Sequence, residues 1–132
     1  MSETGSVERF YGQLVTKAGE AVVIASNDGT ILEWNASAER IFGWPRDKAE
    51  GENIDMLIPD NQKDDHWTGY DRVLGAGQTQ YGDGTLLTVS ALKADGTRIG
   101  IAMSFVPLEE NGSVTAIAAI IRPARQAPPK QA

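Results

Sequence analysis

Apolar positions recur with two different periods along this chain, helical at its start and middle and alternating near its end. Val7, Phe10, Tyr11, Leu14 and Val15 fall at helical spacing behind Ser6, whose hydroxyl suits an N-cap, so a helix is predicted over 7–17. Its apolar face is expected to pack on a sheet, a second copy of the chain being the other available partner. Ala21 to Ser26 is an apolar, β-rich run, Asn27-Asp28-Gly29-Thr30 supplies residues that tolerate left-handed dihedrals, and Ile31 to Trp34 resumes the run. This reads as a hairpin. Asn35 is placed to cap a short helix carrying Ala38, Ile41 and Phe42, which stops at Gly43-Trp44-Pro45 because proline disfavours helix in the residue before it.

Two more helical pieces follow, one over 46–50 ending at Gly51 and a longer one over 61–74, with Asp60 or Asn61 as its cap and Gly75-Ala76-Gly77 as its stop. From Thr85 onward β runs dominate: Leu86 to Leu92, Arg98 to Leu108 and Val114 to Ile121, separated by Lys93-Ala94-Asp95-Gly96 and Glu109-Glu110-Asn111-Gly112. The order predicts an α+β fold, a five-stranded antiparallel sheet with short helices on one face and an N-terminal amphipathic helix. Residues 1–20 form a helical cap on this reading, 21–122 the folded domain, and the Pro-rich stretch 123–132 a disordered tail.

Composition narrows the chemistry. A chain of 132 residues is one domain with room for a sizeable core. The absence of cysteine excludes a disulfide framework, thiolate metal sites, a cysteine nucleophile and flavin–cysteinyl photochemistry within the chain. Asp+Glu 18 against Lys+Arg 12, with the charges scattered, offers no basic stripe, so nucleic acid is not expected as a partner. Val114 to Ile121 is far shorter than the ~20 residues of a membrane span, and MSETGSVERF does not read as a signal peptide. A soluble cytoplasmic protein is expected.

Several segments together, in this order, resemble the PAS domain: Asn27-Asp28-Gly29-Thr30-Ile31, then Trp34-Asn35-Ala36-Ser37-Ala38-Glu39-Arg40-Ile41-Phe42-Gly43-Trp44, then Asn53-Ile54-Asp55-Met56-Leu57-Ile58-Pro59, then Lys93-Ala94-Asp95-Gly96-Thr97. The likeness runs from about Ala21 to Ile121 and implies a cleft between the helices and the inner face of the sheet. The stretch from Ile58 to Tyr70, with Asp64-Asp65-His66-Trp67-Thr68-Gly69-Tyr70 at its end, is similar to the heme-binding PAS subgroup of oxygen-sensor kinases and a heme-regulated phosphodiesterase. That resemblance implies heme b with His66 as proximal iron ligand, and Tyr70 and Arg72 also fit the subgroup's pattern.

The residues bear on this reading directly. A neutral imidazole is a good iron ligand, and His66 is the only histidine. On a helix His66, Gly69, Tyr70, Val73 and Leu74 share one face, and Arg72 is a candidate for a charge-assisted bond to a propionate. Leu86, Leu87, Ile101, Met103 and Phe105 are the candidate apolar walls on the far side, with Met103 a further candidate iron ligand. Where the oxygen sensors carry an arginine or methionine near the first long strand, this chain has Gly84-Thr85-Leu86-Leu87. An apolar distal wall favours carbon monoxide, nitric oxide or redox state as the signal.

Other constellations point elsewhere or nowhere. Asp64 and Asp65 diverge by about 100° on a helix and cannot converge with His66 on one ion. Trp67 is read as packing, and no nucleophile elbow surrounds Ser26, Ser37, Ser90 or Ser104. Three functions stay open: a heme PAS sensor of a diatomic gas or redox state that signals through a partner; a heme-dependent enzyme similar in architecture to the PAS-type nitramine (N-nitroglycine) lyases, with Arg98, Thr85 and Thr88 as anchors for a small nitro-compound; and a heme-free ligand-binding or dimerisation module. A homodimer is expected under all three.

Overall fold

The computed structural model describes residues 3–76 and 86–124. Its elements are α1 (Glu3–Lys17), β1 (Ala21–Ser26), β2 (Ile31–Trp34), α2 (Ala36–Phe42), α3 (Arg46–Ala49), α4 (Lys63–Ala76), β3 (Leu87–Leu92), β4 (Arg98–Glu110) and β5 (Ser113–Pro123). Short 3-10 turns occupy Ile54–Leu57 and Asp60–Gln62. The strands form one five-stranded sheet in the order β2-β1-β5-β4-β3, antiparallel throughout. The α+β class and the strand positions agree with the sequence pattern.

Turn chemistry sets the hairpins. Asn111 and Gly112 both take positive φ, 53° and 84°, between Glu110 and its partner Ser113, the dihedrals of a type I′ connection. In the β1–β2 turn the Asp28 carboxylate accepts bonds from Ser26 Oγ at 2.5 Å, Thr30 N at 3.1 Å and Thr30 Oγ1 at 2.8 Å, and Gly29 takes φ 89°.

Strand alternation divides the sheet. Val23 and Ala25 pair with Ala119 and Ile117, and Met103 and Phe105 pair with Ile121 and Ala119, so these residues share the inner face beneath the helices. Trp34 and Phe42, both fully buried with ring centroids 5.4 Å apart, anchor α2 in that core. The Trp34 indole donates to the Trp44 carbonyl at 2.8 Å.

Asn35 ties four segments together. Its side-chain oxygen accepts from Ala38 N, capping α2 as the sequence predicts, and from Val22 N, each at 3.0 Å. Its amide donates to Val15 O at 2.8 Å and Glu20 O at 3.1 Å.

The amphipathic helix departs from expectation. It starts at Glu3, so Ser6 lies within it rather than ahead of it. Its apolar face does not pack on the sheet: Phe10, Tyr11 and Leu14 are 62%, 60% and 66% exposed. The bonds that tie it down act at and just beyond its last turn, on the carbonyls of Val15 and Ala18, the latter from Ser37 Oγ at 2.7 Å. Between that end and the outer face of the sheet lies an open apolar groove of about 480 Å³, lined by Leu14, Val15, Val22, Val106, Ala118 and Ile120 among others.

Two smaller differences follow from local chemistry. A 3-10 turn that the hydrophobic periodicity does not predict occupies Ile54–Leu57, and Asn53 caps it by accepting from Asp55 N at 2.9 Å. Asp60 and Asn61 form a 3-10 turn leading into α4 instead of capping it. No helix among the described residues is long and apolar enough to cross a membrane. The glycine-rich connector, Thr85 and the tail beyond Ala124 lie outside the described residues.

Candidate functional site

Helix α4 lies over the inner layer, attached to the first hairpin by polar bonds. The Tyr70 hydroxyl donates to Ser26 O at 2.5 Å, with Ala25 O at 3.3 Å. Burial pushes the Tyr70 phenol up to about 12, so it stays a donor at neutral pH. One turn earlier, the Trp67 indole donates to Asp55 Oδ1 at 2.8 Å, and Lys63 Nζ bonds Asp55 Oδ2 at 2.8 Å.

His66 is half-buried between these anchors. Its ring lies 4.7 Å from Trp67, edge to face, and 5.7 Å from Tyr70. Its Nδ1 is buried with no hydrogen-bond partner among the described residues. Burial lowers the imidazole's pKa, and the nearby Asp55 carboxylate opposes this without reversing it. His66 is therefore mainly neutral at pH 7, with its Nδ1 buried and unpaired among the described residues.

Facing the helix layer are side chains of β3 and β4. The pairs Leu87↔Met103 and Val89↔Ile101 place these four on the inner face with Phe105. Ile101 is buried, whereas Leu87, Val89, Met103 and Phe105 are only half-buried, as is Val73 on α4. Tyr70, Val73, Ile101, Met103 and Phe105 thus belong to one core cluster, while Leu87 shares the inner face of the sheet with Met103 and His66 meets Trp67 and Tyr70.

Other expected residues fall outside it. Leu86 precedes β3 and is 50% exposed, because neighbours along an extended chain point to opposite sides and Leu87 takes the inner position. Arg72 is exposed, about 120° around α4 from His66 at 100° per residue. Thr88 alternates to the outer face, and Arg98 is exposed and donates to Asn61 Oδ1 at 3.2 Å. A second open cavity, of about 490 Å³, lies between the end of α4 and the β4–β5 hairpin, and neither cavity is lined by His66.

The couple Trp67–Asp55 went unread in the sequence. Its partners are twelve residues apart with no local spacing rule to join them. The nearest signal is Asn53 two residues before Asp55, a capping pattern for the turn that carries the carboxylate.

This arrangement defines an α+β module whose short helices pack on one face of a five-stranded antiparallel sheet. The model of the PAS fold matches residues 9–124, and the chain belongs to that family. Among curated proteins it is 29% identical over 111 residues to the oxygen sensor protein DosP of Escherichia coli, covering 84% of this chain and 14% of that one. It is 26% identical over 101 residues to the sensor protein FixL of Bradyrhizobium diazoefficiens, covering 70% and 18%. The chain thus spans less than a fifth of these relatives. Among solved structures, a PAS domain from Colwellia psychrerythraea superposes with TM-score 0.77 at 18% identity, covering 89% of this chain and 97% of that one. A light-oxygen-voltage protein of Rhodobacter sphaeroides gives 0.72 at 10% identity, covering 95% and 70%. Both show the fold alone.

Proposed function

We propose that this chain is a heme-b-binding PAS sensor with His66 as the proximal iron ligand, responding to a diatomic gas or to redox state and signalling through a partner. The observation that carries the reading is the His66 ring, neutral, with a buried Nδ1 that has no hydrogen-bond partner among the described residues, on a helix whose Tyr70 and Val73 pack into the apolar core. The donor set fits: a chain with one histidine and no cysteine offers iron one strong ligand, and a porphyrin brings the other four nitrogens with it. The likeness to an oxygen sensor protein and to the sensor protein FixL supports a sensing role.

Bound heme would supply an iron whose oxidation state and free coordination position report the signal. The chain's own residues hold and shield it. His66 offers an imidazole without first losing a proton, and Tyr70, fixed by its bond to Ser26 O, supports the helix one turn on. Val73, Leu87, Ile101, Met103 and Phe105 exclude water, with Met103 the inner-face sulfur available as a second ligand. Arg72, exposed on α4, is the candidate for a charge-assisted bond to a propionate. No light-driven cysteinyl adduct can form in a chain without cysteine, whatever its fold shares with light-oxygen-voltage proteins.

The enzyme reading gains nothing comparable, since Thr88 alternates to the outer face of the sheet and Arg98 is engaged with Asn61. The partner proposed for α1 is a second copy of the chain, because exposed Phe10, Tyr11 and Leu14 continue into the apolar groove on the outer sheet face.

The test is an absorption spectrum of the purified protein after hemin reconstitution, ferric and ferrous, with and without carbon monoxide, beside His66→Ala. A stoichiometric Soret band that the substitution removes or shifts is expected. Failure to take up stoichiometric heme, or an identical spectrum from His66→Ala, overturns the proposal.

A further inference from the structure

We propose that Trp67 and Asp55 form a positioning pair that fixes the direction in which α4 presents His66. The inference rests on the reading of His66 as iron ligand and is tested so that the two can fail separately.

Trp67 adjoins His66 in sequence and meets it edge to face at 4.7 Å. The indole is held at both ends. Its N–H bonds Asp55 Oδ1 at 2.8 Å, and its far edge lies against Gly29, where an added Cβ would come within 2.5 Å of Cη2. Asp55 is itself fixed. Its backbone N–H donates to Asn53 Oδ1 at 2.9 Å, Asn53 Nδ2 donates to Asp28 O at 2.9 Å, and Ile54 N donates to Gly29 O at 2.9 Å.

The consequence concerns rotation of the helix. Apolar contacts alone let a helix turn about its axis or slide, whereas an N–H···O bond weakens steeply with misalignment and fixes the angle. Among the described residues His66 has no hydrogen-bond partner at its buried Nδ1 to set its own direction. Its orientation therefore comes from its neighbours, with Trp67 bound to the 3-10 turn on one side and Tyr70 to β1 on the other. Removing partners that orient a metal-ligating histidine typically weakens metal affinity by roughly 10–100-fold.

Hemin titration and the ferrous iron–histidine stretching frequency are measured for Trp67→Phe, Asp55→Ala, Asp55→Asn, Lys63→Met and His66→Ala. Trp67→Phe and Asp55→Ala are expected to weaken hemin binding roughly 10–100-fold and to shift the stretch. Asp55→Asn keeps an oxygen for the indole, and Lys63→Met removes only the ion pairs to Asp55 and Asp60, so both are expected to match the parent frequency even where they lower stability. A general loss of stability would not sort the variants this way. Parent-like affinity and frequency in Trp67→Phe and Asp55→Ala, with binding lost in His66→Ala, overturn the positioning role and leave the ligand. Parent-like binding by His66→Ala overturns both. Should a variant fail to take heme, magnetic-resonance ring contacts from His66 to Trp67 and Tyr70 in the heme-free protein decide: their loss in Asp55→Ala and survival in Lys63→Met support the pair, and unchanged contacts overturn it.

Discussion

Replacing Asn35 by alanine strikes the point where α1, β1 and α2 are joined. The residue is 1% exposed and its side chain makes four hydrogen bonds, accepting from Val22 N and Ala38 N and donating to Val15 O and Glu20 O. Loss of an N-cap costs about 1 kcal/mol. Leaving the buried Val22 N–H unpaired adds about 2 kcal/mol. The expected loss is therefore about 3 kcal/mol, read as a fall in the urea midpoint at unchanged m-value. Asn35→Asp adds a sign that can be checked. It keeps both acceptor bonds but turns a carboxylate oxygen toward the Val15 and Glu20 carbonyls, which raises the carboxyl's pKa in the folded state above its unfolded value of about 3.9. The folded variant then binds the proton more tightly, so its penalty is absent below the unfolded pKa and grows as pH rises through the folded one. Asn35→Asp should be closer to wild type at low pH than at neutral pH. A loss under about 1 kcal/mol in the alanine variant, below the cost of the unpaired N–H alone, or no pH dependence in the aspartate variant, refutes this account.

Other substitutions test other joints. Gly29→Ala places a Cβ at φ 89° and 2.5 Å from Trp67, whereas Gly96→Ala meets the same strain at φ 86° in open space. Chemical denaturation should show Gly29→Ala costing more than the roughly 1–2 kcal/mol of left-handed strain alone, with a change in tryptophan fluorescence that Gly96→Ala lacks; equal losses count against the Trp67 contact. The bonds from Ser26 and Thr30 hold the Asp28 carboxyl down from 3.8 to about 2. Its contribution to stability is present above the ordinary 3.8 and lost as pH falls through about 2, and a carboxyl NMR midpoint at the ordinary value contradicts the turn network. Leu14→Glu should weaken self-association in sedimentation without lowering the melting temperature, and a wild-type protein that stays monomeric at every concentration refutes the second-copy reading of α1.

Local chemistry made much of the fold legible. Asn111-Gly112 and Asp95-Gly96 announce their turns because few residues accept positive φ, and Asn35 announces a cap by its place before a periodic run. What stayed hidden depends on partners distant in sequence. Leu86 and Leu87 look equivalent until the start of β3 assigns one to the inner face. Amphipathicity alone does not say whether α1 packs on its own sheet or on another molecule, and the structure leaves that face exposed. His66 is visible as the lone histidine, but the burial that keeps it neutral and the Asp55–Trp67 bond beside it arise only when α4 crosses the hairpin.

The strand order also governs assembly of the chain. β5, the last of the sheet's five strands in chain order, is the central one, lying between β1 and β4. Ala21 pairs with Ile121 across nearly the whole described chain. During synthesis the hairpins β1–β2 and β3–β4 each form from neighbouring segments, but no strand pairing joins them until β5 has emerged. The sheet therefore closes in a late, long-range step of the kind that slows folding. A nascent chain halted before Ser113 holds two hairpins with exposed inner edges, the state most in need of a chaperone.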